Sequence, residues 1–61
     1  MPTEYVRMAK SFISNVYATL NEIKELTKSE KIRKKVDVAL YELGNAAEYL
    51  EKCEKSLRKL S

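Results

Sequence analysis

Lys28, Lys31, Lys34, Lys35 and Tyr41 have the residue types and spacing for anion chemistry. Ammonium groups pair with phosphate or carboxylate oxygens, and a tyrosine ring can stack on a base. At about 100° per residue the four lysines share one helical arc of about 120°. Val38 and Tyr41 continue that arc, while Arg33 points elsewhere. Positive charge at a helix N-terminus opposes the macrodipole, and Lys31 and Lys35 repel each other at i,i+4. Helix stability therefore does not explain this strip. Three readings stay open: a solvated face carrying a stray tyrosine, a nucleic-acid surface, or a dock for an acidic protein partner. A second basic-aromatic strip, Lys10, Tyr17 and Lys24, repeats every seven residues.

Catalytic chemistry has little to draw on. Histidine is absent, and there is one cysteine, Cys53. No nucleophile–base pair or Gly-rich phosphate loop is present, and the usual zinc spacings cannot be met. The expectation is no enzyme, no metal, no cofactor and no small-molecule substrate.

The elements that must position the strip are legible as periodicity. In the second half, Ile32, Val36, Ala39, Leu43, Ala46, Leu50, Cys53, Leu57 and Leu60 are spaced alternately by four and three. This is a heptad seam on one long helix. Large residues stand at a (Val36, Leu43, Leu50, Leu57) and mostly small ones at d (Ala39, Ala46, Cys53). On this reading Cys53 is a small apolar core side chain; a disulfide across a dimer axis is the alternative. In the first half, Val6, Ala9, Ile13, Val16, Leu20 and Ile23 form a similar seam, widened at g by Tyr5, Phe12 and Leu26. Stripes of that width suit bundles of three or four helices.

The two seams are not one helix. Continuing the first predicts a d position at 30, but the second places d at Ile32. A two-residue slip turns the stripe by about 200°, unlike the insertions that coiled coils absorb. Thr27 and Glu30 have capping-box spacing, and Ser29 is a second candidate N-cap. The prediction is an all-α, two-helix antiparallel hairpin, with helices at about 3–26 and 28–60 in a single domain over 1–61. Gly44, beside the seam, marks a close-packing spot or a hinge. Glu48–Lys52, Glu51–Lys55 and Glu54–Arg58 are i,i+4 pairs on the outer surface.

Charge is uneven. Residues 1–30 hold four basic and four acidic side chains; residues 31–61 hold eight and five. The longest apolar runs are four residues, too short for a membrane span. The N-terminal stretch has an early acid, Glu4, and no apolar core of a signal peptide, so the expected location is cytoplasmic. A hairpin this small buries little surface, and one cysteine builds no disulfide framework, so self-association through the two seams, as a dimeric four-helix bundle, is the expected staple.

In plan the chain resembles the Rop-type proteins, helical hairpins of nearly this length. In sequence the likeness lies in short runs, Met8-Ala9-Lys10 and the Cys53-containing region from Tyr49 to Leu57. The resemblance implies an antiparallel four-helix bundle with layered small and large core residues, and binding of paired RNA loops. Rop-type proteins place their RNA-contacting residues on helix one, whereas the basic excess here lies on helix two.

The function expected from the sequence is a non-enzymatic assembly or adaptor module. It would bind helical protein partners, or a second copy as a dimer, through its seams. One alternative is a nucleic-acid-binding accessory protein using Lys28, Lys31, Lys34, Lys35 and Tyr41. Another is an accessory subunit of a larger enzyme.

Overall fold

A computed structural model describes residues 2–60. The described residues form two helices, α1 (Pro2–Leu26) and α2 (Glu30–Leu60), packed as an antiparallel hairpin. Pro2 and Glu4 suit the first turn of α1, and Lys24 suits its last. No helix among the described residues is long and apolar enough to cross a membrane.

The turn closes in three residues without glycine, and no non-glycine residue described has positive φ. Side-chain oxygens make this feasible. The Thr27 N–H donates to the Ile23 carbonyl at 2.9 Å, ending α1. The Ser29 N–H donates to Thr27 Oγ1 at 3.1 Å, and the Ile32 N–H to Ser29 Oγ at 3.3 Å. Ser29 is thus the N-cap of α2, and the helix begins two residues later than the spacing predicts. Arg33 reaches back to the Thr27 carbonyl at 3.4 Å.

The register is read from three bridges. Lys10 meets Glu51, Tyr17 meets Gly44, and Lys24 meets Asp37. Each step of seven along α1 is a step of seven backwards along α2. The resulting rod is long and thin, 48 × 15 × 9 Å over its Cα atoms. Val6 and Val36 are its only buried apolar side chains among the described residues.

The two helices meet along their a and e rows. In α1, Val6, Lys10, Ile13, Tyr17, Leu20 and Lys24 are buried or half-buried; in α2 so are Val36, Leu40, Leu43, Ala47, Leu50, Glu54 and Leu57. Lys10, Tyr17 and Lys24 therefore form no outward strip. Lysine stems lie along the interface while their ammonium groups reach acids on the other helix.

Gly44 is a close-packing spot. A Cβ built there would lie 2.9 Å from Tyr17 Oη, and that hydroxyl donates to the Leu40 carbonyl at 3.5 Å. Alanine gains about 1 kcal/mol of helix propensity over glycine. Gly44→Ala alone is therefore expected to yield no net gain in chemical denaturation. In a Tyr17→Phe background, where the hydroxyl is gone, it is expected to stabilise by about 1 kcal/mol.

Candidate functional site

Antiparallel helices mirror each other's rotation. With the a and e rows turned inward, the d and g rows of both helices fall on one broad side of the hairpin, and the b rows on the other. The outer edges are formed by the c and f rows. The two broad sides and the two edges differ in chemistry.

The b side carries the ionic contacts. Lys10 Nζ lies 2.6 Å from Glu51 Oε1 and 3.4 Å from Glu54 Oε1. Arg7 and Arg58 each approach Glu54 Oε2 at 3.7 Å. Lys24 Nζ lies 2.6 Å from Asp37 Oδ1. Glu54 is 7% exposed, a buried carboxylate ringed by three cations. Sequence spacing pairs Glu51 with Lys55, but its hydrogen-bond partner is Lys10 across the hairpin. Lys52–Glu48, at 3.8 Å, does form within its helix.

The Lys10 hydrogen bond holds the Glu51 carboxyl below its ordinary value, and the same bond raises the Lys10 ammonium. A lowered Glu51 contributes stability above the ordinary glutamate range and loses it as pH falls through the depressed folded value. A raised Lys10 contributes below the ordinary lysine value and loses it as pH rises through the elevated one. Melting curves across pH should show both losses, and the Lys10→Met variant should lack the part linked to this pair.

The d/g side is apolar. On α1 it presents Tyr5, Ala9, Phe12, Val16, Thr19, Ile23 and Leu26, without a charge. On α2 it presents Ile32, Ala39, Ala46, Tyr49, Cys53 and Leu60, with Lys35 and Glu42 at the rim. Phe12 is 64% exposed and Leu26 77%. Thus the a members of the sequence seams close the hairpin, while the d members line or border its open side. Cys53 is exposed there, because its row faces away from α1.

The edges are charged with opposite sign. That of α1 carries Glu4, Glu22 and Glu25 with no cation; that of α2 carries Lys31, Lys34, Lys52, Lys55 and Lys59 against Glu48 alone. The other acids of α2 lie off this edge, Asp37 and Glu51 on the b side, Glu54 between the helices and Glu42 at the d/g rim, which leaves the outer lysines in excess. Among the described residues Lys28, Lys31, Lys34 and Lys35 form no ion pair. Lys31, Lys34, Lys35 and Val38 line one open depression, and Tyr41 is exposed in the same arc. Arg33 stands apart at the turn. Near the other end Lys52 Nζ sits 5.4 Å from the centre of the Tyr49 ring.

Among the described residues no cluster of three or more metal-ligating side chains occurs. Comparison with family models, with curated proteins and with solved structures gives no match to this chain.

Proposed function

We propose that this chain is a non-enzymatic assembly module that works by covering its d/g side with the helices of a protein partner. The observation that carries the reading is that apolar side, which is free of charge on α1 and charged on α2 only at its rim, by Lys35 and Glu42. The accessible surface is 5088 Å², whereas a compact monomer of 7.1 kDa exposes about 4,100 Å². The surplus, about 1,000 Å², is comparable with one side of a specific interface. Large apolar side chains exposed together on one side, Tyr5, Phe12, Val16, Ile23 and Leu26 on α1 alone, mark an interaction site.

Cys53 reports on the reading directly, because its thiol lies on the side to be covered. Alkylation is expected to slow at least tenfold between dilute chain and chain at tens of micromolar. Ser14→Cys in a Cys53→Ser background, on the b side, should react equally fast at both. Equal rates for Cys53 under both conditions, with the hairpin folded, would contradict self-assembly.

A second reading is supported by the uncompensated lysines beside Val38 and Tyr41: the turn end of α2 binds a nucleic-acid backbone. With three to four phosphate contacts, log affinity should fall with log salt at a slope of about −3 on duplex DNA. The triple change Lys31→Glu, Lys34→Glu, Lys35→Glu should abolish binding. Equal binding by that variant, or none at low salt by the original chain, removes the reading.

A further inference from the structure

We infer that the partner on the d/g side is a second copy of this chain, stacked face to face about a two-fold axis parallel to the rod. In that arrangement α1 lies over α2 of the copy, and both turns are at the same end. The inference rests on the assembly reading above and adds to it the occupant and its orientation.

Three observations carry it. The first is area. A side of 48 × 15 Å on each of two copies buries about 1,400 Å² in total, within the range of stable interfaces.

The second is shape. A two-fold axis along the rod keeps each residue of the copy at its own level. By the register of the hairpin, Val16 of one chain then faces the level of Asn45 and Ala46 of the other, and Ile23 faces the level of Val38 and Ala39. Bulky d residues of α1 thus meet small d residues of α2, as interdigitating layers require. Ala9 comes level with Lys52 and Cys53 by the same register.

The third is charge. In the same stack the acidic edge of α1 runs beside the basic edge of the copied α2. Glu4 lies level with Leu57, between Lys55 and Lys59; Glu22 and Glu25 lie level with Ala39 and Val36, next to Lys34, Lys35 and Val38. The acids stand at both ends of α1, and the lysines at both ends of α2. Turning the copy end for end instead stacks α1 on α1 and α2 on α2. That puts Val16 near Phe12 of the copy, and Lys31, Lys34 and Lys35 beside Lys55 and Lys59. Like charges across an interface select against such a pairing.

The test places one spin label on each chain, at Lys28→Cys in a Cys53→Ser background, and reads the label–label distance with the mass. The inference expects a dimer with the turn labels within about 30 Å, the width of two stacked hairpins plus label arms. A dimer whose labels lie apart by the length of the rod, 48 Å, overturns the orientation and leaves the assembly reading intact. A well-folded chain that stays monomeric at tens of micromolar overturns the second copy as occupant. Reversing the edge charges is a second check. Glu22→Lys with Glu25→Lys should weaken association at least tenfold, and adding Lys34→Glu with Lys35→Glu should restore it; no restoration contradicts the edge pairing.

Discussion

Replacing Phe12 and Val16 together by glutamate is expected to weaken association at least a hundredfold and to lower the melting temperature at fixed concentration. Both side chains are exposed in the single hairpin, Phe12 at 64% and Val16 at 45%. A lone hairpin would therefore tolerate the change almost without cost, since surface substitutions lie within about 0.5 kcal/mol. In an assembly the same two carboxylates are forced into an apolar interface, at several kcal/mol per unpaired charge. Ser14→Glu, on the b side, is the control and should leave association unchanged. Sedimentation velocity and concentration-dependent melting measure both. An unchanged melting temperature for the double variant means that no second copy covers this side.

The second large effect is centred on Glu54. Arg7, Lys10 and Arg58 surround this buried carboxylate, and no described buried side-chain N or O atom lacks a hydrogen-bond partner. Glu54→Lys places a fourth cation among three and is expected to cost about 3–5 kcal/mol. For a chain this small that exceeds the stability available, so circular dichroism should show loss of helix at 25 °C. Glu54→Leu removes the buried charge and extends the Leu50 and Leu57 row, and should be neutral or stabilising by about 1–3 kcal/mol. Of the three cations, Arg7 and Arg58 are largely solvated, at 68% and 62% side-chain exposure, and Lys10, at 33%, keeps Glu51 at 2.6 Å. If both variants melted alike, Glu54 would not be the electrostatic pin of the hairpin.

The hairpin and its turn were legible because a phase slip between two heptad rows has few physical explanations. Ser29 was visible as a cap, and its choice over Thr27 depended on hydrogen bonds that spacing does not reveal. The a rows were legible for the same reason as in any amphipathic helix. The e rows were not, because Lys10, Tyr17 and Lys24 read as polar. Their burial depends on which residues of α2 stand opposite, and register is not written in either helix alone. One signal was available: Lys10 and Glu54 both occupy e, and opposite charges at flanking positions set the pairing of coiled helices. Cys53 looked like a core residue because its row was counted as the inner one. With e turned inward instead, d turns out. Of the basic strip, Lys31, Lys34 and Lys35 share a depression with Val38, and Tyr41 is exposed in the same arc. Lys28 lies in the turn before α2 begins and so is not on the helical arc that the spacing gave it. What spacing could not give is why the charge there is uncompensated. Asp37, three residues on from Lys34 in the same helix, is held across the hairpin by Lys24.

That side of the rod, bordered by an acidic and a basic edge, is the centre of the account. Its most direct test is the mass of the unmodified chain by light scattering from about one to one hundred micromolar. The mass should rise to twice the chain mass of 7.1 kDa within that range, accompanied by rising helicity. A fully helical species that stays at the mass of one chain throughout would contradict it.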